Sequence, residues 1–144
     1  MPAAVAMFGN RMPRPVLASL LWLALLVWTG GIVWLSSLTP DQLPSAAFLT
    51  WDKFNHFAAF AVGGWLAASA LRTSRPDARA FSSITAAIVL VAAFGGFDEL
   101  RQLLTPGRSG ADLYDWIADF LGAITGSIMT LITHARLERL VPRP

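Results

Sequence analysis

Four long apolar runs, separated only by short polar stretches, leave this 144-residue chain few ways to fold. They cover residues 15–38, 52–71, 81 to about 104, and 112–133. A helix needs about 20 residues to cross the hydrocarbon of a bilayer, and each run is near that length. Only 14% of the residues are charged, where a soluble domain is nearer about 25%. The mean hydropathy of +0.55 points the same way. The expected fold is all-α, a bundle of four transmembrane helices. A short tail, 1–14, precedes the membrane domain, 15–133, and a basic tail, 134–144, follows it.

The first run follows Arg11 and Arg14, so a cleavable signal peptide is the rival reading. The apolar core of such a peptide is roughly 7–15 residues. This run is longer and lacks a clear small-x-small cleavage site, which favours a retained span. It ends at Ser36-Ser37-Leu38-Thr39-Pro40, where proline cannot comfortably continue a helix. The chain has no cysteine, hence no disulfide, thiolate nucleophile or thiolate metal site.

The pI of 9.9 does not indicate nucleic acid, because the basic residues are scattered over tails and loops. They fit the positive-inside rule instead. With the N-terminus in the cytoplasm, Arg11, Arg14, Arg72, Arg75, Arg79, Arg136, Arg139 and Arg143 are cytoplasmic. Only Lys53, Arg101 and Arg108 are left outside. Both termini are therefore expected in the cytoplasm, and the location expected is the bacterial cytoplasmic (inner) membrane.

This topology places every unusual polar group at the outer end of its helix. Ser37 and Thr39 close the first helix, and Asp52 and His56 open the second. Asp98, Glu99 and Gln102 close the third, and Asp112, Asp115 and Asp119 open the fourth. At about 1.5 Å per residue, His56 lies ~6 Å below Asp52 and Asp119 ~10 Å below Asp112. Small residues extend the same faces: Ala59, Gly63 and Ala67 beyond His56, and Gly122 and Gly126 beyond Asp119. Small residues mark close helix approach in membranes. The acidic faces should thus point into the bundle. Six carboxylates (Asp52, Asp98, Glu99, Asp112, Asp115, Asp119) meet three cations, an excess suited to protonation, a charged His56 or a bound cation.

Each motif carries two readings. Asp52-x-x-x-His56 is either a carboxylate orienting an imidazole or a helix cap beside an interface histidine. Asp98-Glu99-x-x-Gln102 supplies a general acid or base, or merely a helix end meeting water. Arg101 is expected to snorkel and pair with a neighbouring carboxylate. Pro106-Gly107-Arg108-Ser109 presents a guanidinium to an anion, or is an exposed turn with Arg108 on Asp112 or lipid head groups. Asp112, Asp115 and Asp119 suit oxygen-ligated Mg²⁺ or Ca²⁺, helped by Glu99 or His56, with Asp112 the weakest of the three. Asp112 suits the N-terminal dipole of the fourth helix. His134 is expected to be solvated in the basic tail.

Taken in order, Asp52-Lys53-Phe54-Asn55-His56-Phe57, Asp98-Glu99-x-x-Gln102, Pro106-Gly107-Arg108-Ser109-Gly110 and Asp115-x-x-Ala118-Asp119-x-x-Gly122 resemble the VanZ-like family. Ser37-Leu38-Thr39-Pro40 resembles the end of that family's first helix. The likeness covers about residues 36 to 126. It implies a small bacterial integral membrane protein related to a founding member associated with resistance to teicoplanin, a lipid-tailed glycopeptide. It also implies functional roles for Asp52, His56, Glu99, Gln102, Arg108 and Asp115. The chain departs from the family pattern at Asp119, where Asn is usual.

Two function classes follow as expectations. One is a binding protein for a lipid head group, a cation or a lipophilic glycopeptide, which alters envelope properties or antibiotic susceptibility. The other is an enzyme at the membrane face acting on a lipid-linked envelope substrate. In that case His56 and Glu99 are acid and base, Asp52 orients His56, and Arg108, Gln102 and Asp115 hold substrate. A divalent cation on Asp115 and Asp119 is the one cofactor considered. Transport finds no support in an inverted repeat or a broken-helix pair.

Overall fold

Each apolar run becomes one helix: α1 (Arg14–Ser36), α2 (Asp52–Ser74), α3 (Ala80–Gln102) and α4 (Leu113–Glu138). The computed structural model describes residues 12–43 and 51–141, and no strand occurs among them. Expectations that fall on Arg11 and Arg143 lie outside the described residues. All four helices are long and apolar enough to cross a membrane.

Local chemistry sets the helix ends. Pro15 sits in the first turn of α1, where a missing N–H breaks nothing. After Ser36 the chain turns, and Pro40 opens a single 3-10 turn, Pro40–Gln42. Thr39 N–H donates to Gln42 Oε1 at 3.1 Å across that turn. Asp112 caps α4 by accepting from the N–H groups of Tyr114 and Asp115 at 2.8 and 3.4 Å. The Tyr114 N–H, then Lys53, and last the Asp115 N–H hold its carboxyl below the ordinary aspartate value. The turn before it runs through Gly107 at φ 77°, a left-handed conformation that suits glycine.

Two helices run a little past the expected spans. α2 continues to Ser74, and α4 to Glu138. The second extension corrects the reading of His134. Its side chain is largely buried, with Nε2 3.3 Å from Glu138 Oε1. Glu138 is also held by Arg14, in a bidentate pair at 3.0 and 2.8 Å. Val141 then folds under the bundle against Leu17, Leu21 and Ala70. Met12 N–H donates to Leu140 O at 2.8 Å, so the two ends of the described chain meet.

α2 is the central element. It packs on all three other helices, most extensively on α4. Lipid tails are as apolar as leucine, so helices in a bilayer associate through close packing and interhelical hydrogen bonds. Both appear along α2 and α4. A methyl group at Gly64, Gly122 or Gly126 would run into the backbone of Ala123, Phe57 or Ala61 respectively. Ser127 Oγ donates to Gly64 O at 3.2 Å, Trp65 Nε1 to Thr133 Oγ1 at 2.8 Å, and Arg72 to Thr130 O at 2.8 Å.

α1 is attached unevenly. Leu17, Ala18, Leu21 and Leu25 are buried, but no later residue of α1 is buried until Ser36. Midway along α1, Trp28 makes edge contacts with Phe60 and Phe94, at ring-centroid distances of 5.4 and 5.5 Å. Its Nε1 donates to Ala59 O at 3.0 Å.

Candidate functional site

The C-terminal ends of α1 and α3 and the N-terminal ends of α2 and α4 lie together, and they gather the polar residues there. α4 brings Asp115 and Asp119 inward on the face that continues into Gly122, and all three are buried. α3 buries Asp98, Glu99 and Gln102 on the face shared with Gly95 and Val91. The expected convergence is therefore present in the geometry.

His56 is the meeting point. Its Nδ1 lies 2.9 Å from Oδ1 of Asp119, a residue only 1% exposed. With Asp119 ionised, the carboxylate only accepts and Nδ1 carries the proton of that bond. Nε2 is turned the other way, 4.0 Å from Asp115 Oδ2. Glu99, 4% exposed, accepts from Asp112 N–H at 2.9 Å. His56, Glu99 and Asp119 each offer one ligand atom within 4.8 Å of the others.

The geometry changes two details of the sequence reading. The hydrogen bond that orients His56 comes from Asp119, not Asp52. Asp52 shares the imidazole's helix face, but its side chain is 66% exposed and lies 3.5 Å from Lys53 Nζ. The sets of groups near enough to share a cation also place Asp115 and Asp119 apart, with His56 common to both. Asp115 groups with Asp52 and His56, whereas Asp119 groups with His56 and Glu99. Lys53 stands beside the first set: its ammonium pairs with Asp115 and also reaches Asp112 at 3.2 Å.

A second chain of contacts runs along α3. Ser36 Oγ donates to Asp98 Oδ1 at 2.7 Å, and Gln102 Nε2 donates to Asp98 Oδ2 at 3.3 Å. Arg108 Nε and Nη2 in turn donate to Gln102 Oε1 at 3.3 and 3.0 Å. Arg108 is thus tied to Gln102 rather than Asp112. Arg101 pairs loosely with Asp98 at 3.8 Å and donates to Val33 O and Ser37 Oγ at 2.9 and 2.8 Å. Lys53 and Ser36 received no individual role from the sequence. A serine one turn before a helix end gives no signal of its own, and lysine beside aspartate looks like an ordinary surface pair.

These groups border a cavity of about 470 Å³. Asp52, His56, Asp98, Gln102, Arg108 and Asp115 form its polar wall. Ile32, Leu35, Leu43, Ala59 and Phe60 form its apolar wall. Asp119 and Glu99 stand behind the polar wall rather than on it.

Four apolar helices enclosing a polar cavity at one end define a multi-pass membrane protein with a buried ionisable site. The VanZ/LLP1 family model matches residues 15–134, most of the chain, and the protein belongs to that family. No curated protein and no solved structure matches the chain significantly.

Proposed function

We propose that the protein binds an amphiphile at the polar end of the bundle, on the outer face of the bacterial cytoplasmic membrane. The head group would enter among His56, Asp52, Asp115, Gln102 and Arg108, with its apolar part along Ile32, Leu35 and Phe60. The observation that carries this reading is one cavity with a polar and an apolar wall. Ligand pockets of comparable size, about 300–1,000 Å³, combine an apolar lining with a few placed polar groups. Arg108 offers a guanidinium to a phosphate or carboxylate, and the carboxylates suit a cation or an amine. A membrane lipid and a lipophilic glycopeptide both have this two-part character. Binding would alter envelope properties or antibiotic susceptibility.

Lipid analysis of the purified protein in nanodiscs tests the reading. A specific lipid should co-purify and should be depleted in Arg108→Gln at equal folded yield. A lost charge-assisted hydrogen bond of about 1.5 kcal/mol weakens binding roughly tenfold. Equal lipid content in wild type and Arg108→Gln would sink it.

One observation favours an enzyme as the second reading. His56 faces the cavity with a buried carboxylate, Asp119, behind it. That is the arrangement by which a general base is held in one tautomer and orientation. Glu99 would be the second acid or base, and His56, Glu99 and Asp119 could hold a divalent cation. The two readings separate in His56→Ala, Glu99→Gln and Asp119→Asn. An enzyme loses its cellular phenotype while still retaining lipid; a binding protein loses both together.

A further inference from the structure

We propose that the ligand reaches this cavity sideways from the bilayer, as a lipid whose acyl chain slides between α1 and α3. The proposal rests on the amphiphile-binding reading above and adds the route and the kind of ligand. α1 and α3 make the thinnest contact of any touching pair of helices. Between Leu25 and Ser36, α1 has no buried residue. The apolar wall of the cavity, Ile32 and Leu35 on α1 and Phe60 on α2, lies at that level. Trp28, wedged on Phe60 and Phe94, closes the seam below.

The depth of the seam selects its occupant. Trp28 to Val33, where polar bonds to α3 begin, is about 7.5 Å of helix, within the acyl layer of one leaflet. At that depth the surrounding molecules are acyl chains. A helix of a second copy is about 10 Å across, which a cavity of about 470 Å³ already capped at its polar end does not admit.

The cap is a polar latch. Among the described residues, the side-chain bonds that join the end of α1 to α3 and the turn after it fall on residues 33–37. Ser36 donates to Asp98, Arg101 donates to Val33 O and Ser37, and Thr105 Oγ1 donates to Ser36 O at 3.1 Å. Below these bonds only lipid-compatible surfaces meet. When the latch opens, a head group can therefore pass at the level of these polar bonds, while the tail stays below in hydrocarbon.

The test uses the full chain in nanodiscs doped with a phospholipid carrying a photoactivatable diazirine midway along one acyl chain. Peptide mapping of the adducts should show several-fold enrichment at Ile32, Leu35 and Phe60 over Leu26, Val27 and Ile132. Arg101→Gln, which removes the bonds to Val33 and Ser37, should raise the seam yield several-fold. Even labelling of seam and outer faces overturns the proposal, as does an unchanged yield in Arg101→Gln. If the seam stays unlabelled while lipid retention still depends on Arg108, side entry fails and the binding reading stands. If lipid retention also ignores Arg108, both fail.

Discussion

Lys53 neutralises more of this site than any other side chain. Its ammonium contacts Asp115 and lies 3.2 Å from Asp112 and 3.5 Å from Asp52. Asp115 is nearly buried, so removing the cation strands a desolvated carboxylate. Lys53→Met should cost about 3 kcal/mol of stability in detergent, read by denaturant unfolding, and Lys53→Met with Asp115→Leu should recover much of it. A single-variant loss that persists in the double variant would show that packing, not charge, is lost. Asp112 gives a pH signature outside the membrane. Its folded-state pKa lies below its unfolded value. The cap therefore contributes fully above the ordinary aspartate pKa of about 3.9, and its contribution fades as pH falls through the lower folded value. Asp112→Asn, which still caps without titrating, should flatten the dependence of unfolding on pH in that acid range.

At the level of helices, closeness of approach decides what a glycine does. Gly126 faces the backbone of Ala61, and Gly122 that of Phe57. Gly30 and Gly31 face open space. Gly126→Ala should cost about 1–3 kcal/mol by forcing α2 and α4 apart. Gly30→Ala should change stability by no more than about 1 kcal/mol, and in the favourable direction. Thermal unfolding of both variants in one detergent checks the contrast, and equal losses would refute it. The helices themselves were legible in the sequence because length and hydropathy alone set them. The inward faces of Asp115, Asp119 and Gly122 were also legible, from helical period and small residues. Partner choice was not. His56 lies one turn from Asp52 on the same helix, yet it bonds Asp119 on another, because α2 and α4 approach so closely that the buried carboxylate is nearer. The latch on Ser36 depends on where α1 and α3 cross, and no local pattern in the chain encodes that crossing.

Across the whole molecule, most basic residues collect at one end and most acidic residues at the other. Arg72, Arg75, Arg79, Arg136 and Arg139 lie at the end opposite the cavity. The positive-inside rule would put that end in the cytoplasm. The chain has no native thiol, so single cysteines report topology cleanly. A membrane-impermeant maleimide added to intact cells should label Arg108→Cys and leave Arg75→Cys unlabelled until the membrane is broken. The reverse pattern would invert the molecule and put its cavity in the cytoplasm. The hydrogen bond from Met12 to Leu140 has a topological consequence of its own. Where α1 begins and α4 ends, the chain nearly closes into a ring of spans. A short linker joining those points, with a fresh break opened between Ser74 and Arg79, would reorder the segments without reversing any of them. Such a circular permutant would insert its spans in a new order and still be able to build the same cavity, which makes the order of insertion separable from the finished architecture.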